Sequence, residues 1–232
     1  MADTVSFASF GGRCEGLLAV PAAGHGPGVV LIQEWWGLVP HIDEVADRLA
    51  AAGFVVVAPD FYRGEATTEP DEAAKLMLGL KVRQAAEDIA GAAEYLLTRD
   101  EVDGDRVGVV GFCMGGGLAL LGPTAYRHID CASAFYPAMP WPDYSPDWSR
   151  YRGKVAMVHL AEHDSPDTAP AVERYAVEIT RAGGEAIVES YPGTQHAFFN
   201  DHRPEVYDAA ASELAWTRTL DMFRARLGGS AA

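Results

Sequence analysis

Hydrophobic and polar positions alternate between two periods along the chain, and the alternation predicts an α/β fold with a mostly parallel central sheet and helices on both faces. Short apolar runs bounded by turn residues predict strands at 28–33, 54–58, 106–110, 129–136, 155–160 and 185–191. Between them apolar residues recur at helical spacing. Ile42, Val45, Ala46, Leu49 and Ala50 share one face of a helix that Gly53 stops, and Val82, Ala86, Ile89, Ala93 and Leu96 share another. A helix from 168 to 182 is expected between the last two strands, and one from 204 to 227 carries Trp216, Leu220, Phe223 and Leu227 as a stripe. Residues 4–10 and 14–20, joined across Gly11 and Gly12, predict an opening antiparallel hairpin, and the acidic stretch 64–80 predicts a loop with a short helix. No repeat or linker divides the chain, so a single domain over 1–232 is expected, with a loose tail at 228–232.

The strand ending near Val110 runs into Gly111-Phe112-Cys113-Met114-Gly115-Gly116-Gly117, and helix-favouring residues follow. A sharp strand-to-helix turn strains its central residue and brings the flanking backbones too close for a β-carbon, so glycine fits on both sides. The central side chain then stands at the positive end of a helix, where a thiolate is favoured. The pattern is that of a nucleophile elbow with Cys113 in the serine position. A small buried Cys in a tight connection is the plain alternative. The dinucleotide fingerprint fails on glycine spacing, and the phosphate loop fails because no Lys-Ser/Thr follows the glycines.

An elbow demands an acid after a later strand and a histidine after the last. Asp164 follows the predicted strand 155–160 and His196 follows 185–191, giving the order Cys113, Asp164, His196 at the carboxyl edge of the sheet, where α/β folds bind ligands. His196 would take the thiol proton and Asp164 would fix the imidazole tautomer. Glu162 and Asp167 compete for the acid role; His163 and His202 compete for the base and read as loop surface and a solvated turn. Backbone donors for an oxyanion are expected from Met114 and Trp35. Glu34, where a buried strand opens into the site, is a costly carboxylate unless it is paired or functional.

Charge and composition narrow the classes. Basic residues number 18 and acidic ones 33, and the net charge of −15 argues against nucleic acid and, more weakly, anionic membranes. No apolar run reaches membrane-spanning length, and the start lacks a basic-then-apolar leader. The three cysteines, Cys14, Cys113 and Cys131, form no Cys-x-x-Cys pair, which fits a reducing cytoplasm and disfavours structural zinc. No metal or cofactor is expected.

Gln33-Glu34-Trp35-Trp36-Gly37, Pro59-Asp60-Phe61-Tyr62, the Cys113 elbow and Gly193-Thr194-Gln195-His196-Ala197-Phe198 together resemble the dienelactone hydrolase family, in order and spacing over nearly the whole chain. The resemblance implies a compact α/β-hydrolase fold without a large cap, and hydrolysis of a small lactone, enol ester or activated ester through a thioester. It assigns Cys113 as nucleophile, Asp164 as acid, His196 as base and Glu34 as the carboxylate that holds the resting thiol. Trp36, Tyr136 and Phe198 are expected to contact substrate, and Tyr136, Trp141, Tyr144, Trp148 and Tyr151 to wall an aromatic pocket. The family's two substrate-carboxylate arginines are unmatched. One position is Asn200, and 64–80 offers only Lys75, leaving Arg63, Lys81 and Arg83 as substitutes. The expected partner is the small-molecule substrate, with the protein a monomer or small homo-oligomer. A non-catalytic relative that binds a ligand or a partner, and a redox-sensing Cys protein, are the rival classes. The first has no need of all four site residues, and the second lacks an exposed resolving thiol.

Overall fold

The computed structural model describes residues 2–9, 12–141 and 144–228. The opening hairpin is present as β1 (Asp3–Ser9) and β2 (Gly12–Ala19), paired antiparallel from Asp3↔Leu18 to Ser9↔Gly12. Gly11 of its expected turn, and residues 229–232 of the expected tail, lie outside the described residues. The remaining strands are β3 (Gly26–Ile32), β4 (Val55–Pro59), β5 (Val102–Phe112), β6 (Ile129–Phe135), β7 (Val155–His163) and β8 (Glu185–Gln195). One eight-stranded sheet results, in the order β1-β2-β4-β3-β5-β6-β7-β8. All pairings from β4 through β8 are parallel, while β2 meets both neighbours antiparallel. Strands β4 and β6 are buried along their whole length, which is why they read as continuous apolar runs rather than alternating ones.

The helices are α1 (Pro40–Ala51), α2 (Pro70–Gly79), α3 (Val82–Leu97), α4 (Met114–Ala125), α5 (Thr168–Arg181) and α6 (Ala209–Leu227). Neighbours along a strand face opposite sides of the sheet. A β-carbon on Gly108 would meet Phe223 and Leu227 of α6, whereas Val109 meets Gly122 of α4, so these two helices cover opposite faces. Helix α3 packs on α4, and Arg48 of α1 lies 4.8 Å over the Trp216 ring of α6. No helix among the described residues is long and apolar enough to cross a membrane.

The elements depart from expectation mainly at their polar ends. Strands β7 and β8 continue to His163 and Gln195, which pair across a register shift, so Asp164 and His196 follow the strand ends directly. Exposed polar residues at these ends gave the apolar pattern nothing to read. Helix α6 begins five residues later than expected (Ala209 rather than 204), because the Asp208 carboxylate accepts from Ala211 N at 2.9 Å and caps it there.

A buried polar network fastens β6, β7 and β8 to α6. His159 is fully buried, with Nδ1 2.8 Å from the Tyr191 hydroxyl and Nε2 3.0 Å from Thr219 Oγ1. Burial pushes its pKa down to about 3. The unfolded chain, with an ordinary histidine near 6.5, therefore binds one more proton than the native protein between those values, and stability falls as pH drops through that window. His159→Gln should flatten the slope of unfolding free energy against pH below 6.5 by up to about one proton, measured by urea unfolding at a series of pH values. An unchanged slope would contradict this.

Candidate active site

Cys113 stands between the last residue of β5 and the first of α4, at φ 55° and ψ −118°, a conformation that non-glycine residues rarely adopt. The strain persists because its surroundings leave no alternative. A β-carbon on Gly111 would collide with the Gly115 carbonyl, and one on Gly115 with the carbonyl oxygens of Gln33 and Ile32 at the end of β3. The turn is therefore clamped against the strand that delivers Glu34 and Trp35.

His196 follows β8 directly, with Nδ1 2.9 Å and 3.0 Å from the two oxygens of Asp164. Asp164 Oδ1 also accepts from Ser165 N at 2.7 Å and from Thr168 Oγ1 at 3.3 Å, which fixes the carboxylate. With Nδ1 committed to Asp164, Nε2 is the nitrogen left to serve the thiol. Burial opposes protonation of His196, but the hydrogen bonds its ring makes to the Asp164 carboxylate and to Cys113, with the negative charge those groups carry when ionised, outweigh it, raising its pKa to about 10. The rival groups are engaged elsewhere. Glu162 accepts from Gly193 N at 2.7 Å, Asp167 stands at the N-cap of α5, His163 is exposed, and His202 is paired with Glu44 at 2.9 Å.

Glu34 is 2% exposed and accepts a hydrogen bond from Asn200 Nδ2 at 2.8 Å. Burial raises its pKa, opposed by the Asn200 hydrogen bond and by the charges of His196 and Arg203. It is thus not an ordinary strand-end carboxylate in water. Asn200 Oδ1 accepts from His202 N at 3.1 Å, which orients the amide with its donor toward Glu34. Asn200, unmatched to an arginine, positions the carboxylate instead.

Glu34, Trp35, Trp36, Cys113, Asp164 and His196 line one cavity of about 330 Å³. Met114 opens α4, so its amide has no partner inside the helix, and its Sδ accepts from the Tyr62 hydroxyl at 3.1 Å. Two expected substrate contacts are corrected. Tyr136 and Phe198 are wholly buried and do not line the cavity. The Tyr136 ring packs edge-on against the His196 imidazole at 5.0 Å, and Phe198 packs behind Tyr136 at 5.4 Å. Both aromatic positions close the core beneath the catalytic edge and buttress the imidazole. Tyr151 is buried likewise, its hydroxyl donating to Leu120 O at 2.7 Å, so only Trp141, Tyr144 and Trp148 of the expected aromatic set reach a cavity.

The expected arginine substitutes do not line this cavity. Arg63 is spent on Asp88 at 2.6 Å and on the Cys14 sulfur at 2.9 Å, and Lys75 pairs with Glu72 at 2.6 Å. Arg203 is the cation that does line it, steadied by a bond from its Nε to Glu205 at 2.9 Å. It belongs to the polar run Asn200-Asp201-His202-Arg203, which reads in sequence as a solvated turn, and only its proximity to His196 along the chain could have signalled it. Among the described residues, His41, Asp201 and His202 form the one group with donor atoms close enough together to hold a metal, within 4.8 Å. His41 and His202 of that group line a neighbouring cavity that shares Trp36 and Arg203 with the first.

The model of the dienelactone hydrolase family matches residues 14–227. The chain belongs to this family. Protein usf of Aquifex pyrophilus is 33% identical over 231 residues, covering 97% of this chain and 98% of the relative. An Aquifex aeolicus protein, provisionally named a carboxymethylenebutenolidase, is 30% identical over 244 residues and covers 98% of this chain and all of its own length (100%). The crystal structure of a provisionally named dienelactone hydrolase from Klebsiella pneumoniae superposes with a TM-score of 0.83 at 25% identity, over 96% of this chain and 98% of that one. A dienelactone hydrolase-like promiscuous phosphotriesterase from metagenomic libraries gives 0.85 at 24%, over 98% and 99%, and shares the fold. The chain is thus a hydrolase of the dienelactone hydrolase type on an α/β-hydrolase fold, with no large cap domain among the described residues.

Proposed function

We propose that this hydrolase cleaves small esters or lactones through a thioester on Cys113. The thiol gives its proton to His196 and attacks the carbonyl, and the amides of Met114 and Trp35 receive the oxyanion. His196 returns the proton to the leaving oxygen, then activates water to hydrolyse the thioester, while Asp164 holds the ring and stabilises its cation. The observation that carries this reading is the His196–Asp164 pair facing the strained Cys113 elbow across one cavity. Activated esters suit such a site, because a tetrahedral adduct whose leaving oxygen is a poor leaving group expels the thiolate instead and returns to substrate. His196→Ala should remove turnover of p-nitrophenyl acetate, and persistent turnover would overturn the assignment. The three unpaired cysteines support a reducing, cytoplasmic setting.

Glu34 would hold the resting thiol and help generate the thiolate when substrate arrives. Glu34→Gln should slow single-turnover acylation about tenfold or more without lowering the melting temperature, since an amide still fills the buried space. Wild-type acylation in that variant would remove the role.

Arg203 is suited to a carboxylate on the acyl portion, and a protein of net charge −15 needs such a local cation to hold an anionic substrate. Arg203→Met should cost about tenfold in kcat/KM for a carboxylate-bearing aryl ester and little for its neutral methyl ester counterpart. Equal losses on both would contradict an anion-anchoring role.

A further inference from the structure

A second cavity of about 610 Å³ adjoins the first, with Met77, Ala138, Ser165 and Thr168 lining both. Its walls come from the loop after β6, from α2 and from α5. Trp141 Nε1 donates to Met77 O at 3.3 Å, tying the loop to α2 along one side. On the other side Trp148 packs on Tyr175 of α5, with ring centroids 5.4 Å apart and planes 34° apart. Trp141, Tyr144, Trp148 and Tyr175 all line the groove, each half-buried with ring surface still open to it, and the exposed Asp167 and Arg174 add polar groups to the lining. Flat apolar faces lining one groove favour an aromatic guest.

The direction of the groove decides which half of a substrate would lie there. Ser165, Asp167 and Thr168 follow Asp164 directly, so the groove opens from the acid–base side of the catalytic cavity. Glu34, Trp35 and Arg203 belong to the catalytic cavity and not to the groove. On the proposed mechanism His196 delivers a proton to the leaving oxygen, so the alcohol departs on the side of His196 and Asp164.

We infer that the groove is a subsite for an aromatic alcohol portion, and that the preferred substrates are esters of bulky, fused-ring or biaryl alcohols with a small acyl group. This rests on the proposed cysteine mechanism for its polarity. The atoms balance as in any ester hydrolysis: the acyl–oxygen bond breaks, sulfur and then water take the acyl group, and the aryl alcohol leaves with the proton from His196.

The test compares phenyl acetate with 2-naphthyl acetate, whose leaving groups are similar in acidity, in wild type, Tyr175→Ala and Trp148→Phe. A parallel arm compares p-nitrophenyl acetate with p-nitrophenyl 3-phenylpropanoate, which lengthens the acyl side instead. Wild type should prefer the naphthyl ester by about tenfold in kcat/KM, and both variants should lose most of that preference, with naphthyl acetate turnover falling far more than phenyl acetate turnover. Binding of the uncleaved isostere N-(2-naphthyl)acetamide to Cys113→Ala, followed by naphthyl fluorescence, should weaken by a similar factor when Tyr175→Ala is added. An unchanged naphthyl preference in both variants, or a variant effect confined to the acyl arm, would overturn the subsite. If Cys113→Ala instead retained turnover, the catalytic reading would fail, while the binding arm would still judge the groove.

Discussion

Cys113→Ala is expected to reduce kcat/KM for p-nitrophenyl acetate by about a thousandfold or more while leaving the melting temperature nearly unchanged. The size follows from what remains. Without sulfur, no covalent intermediate can form, and the His196–Asp164 pair can act only as a general base on water, which must attack an ester not held in place as a thioester. Stability should hold because alanine already has the single β-carbon that the strained φ of 55° must tolerate, and Cys113 as a residue is only 8% exposed. Parallel loss of activity and folding would mean that Cys113 is a structural residue. Retained activity would transfer the nucleophile role elsewhere.

Gly115→Ala is expected to be far more damaging to the fold than its single methyl suggests. The new carbon would collide with the Gln33 and Ile32 carbonyl oxygens, both rigid backbone at the end of β3, and would also meet the Ile32 side chain at 2.9 Å. Relief requires separating the α4 turn from β3, which undoes the clamp that holds Cys113 at its strained φ. A loss of about 3 kcal/mol or more is expected, about 6–12 °C in melting temperature for a chain of this size, and catalysis should fall in the remaining folded protein as Trp35 and Cys113 move apart. Gly79→Ala is the control. It adds a methyl where nothing lies within 4 Å and should leave both stability and turnover near wild type. A Gly115→Ala protein as stable as that control would show the elbow to be slack.

The parts of the fold legible in the sequence were those where burial is continuous. Strands β3, β4 and β6 are wholly or almost wholly inside, so their apolar runs located them, and the amphipathic spacing of α1 and α3 did the same for the helices. Exposed strand ends were not legible, because β5 begins at Val102 with polar residues and β7 and β8 finish with them. The chemistry was legible where geometry restricts residue type. Glycines flanking Cys113, and an acid and a histidine at consecutive strand ends, predicted the residues that meet in one cavity. Aromatic positions are less legible, for a physical reason. Tyr136 and Phe198 sit next to catalytic positions in sequence, but a strand end must also seal the core, and their rings turn inward to support His196. Arg203 escaped notice for the opposite reason, since a cation in a polar loop looks solvated until the loop folds back over the site.

The proposed mechanism depends above all on a covalent bond between substrate and one sulfur. Wild type mixed with p-nitrophenyl pivalate, whose hindered acyl group hydrolyses slowly, can be acid-quenched within the first turnover, digested and examined by mass spectrometry. One pivaloyl group on the peptide that carries Cys113, forming at the rate of p-nitrophenol release and absent from His196→Ala, is the predicted result. Pivaloylation of any other residue at that rate, or p-nitrophenol release with Cys113 unmodified throughout, would contradict it.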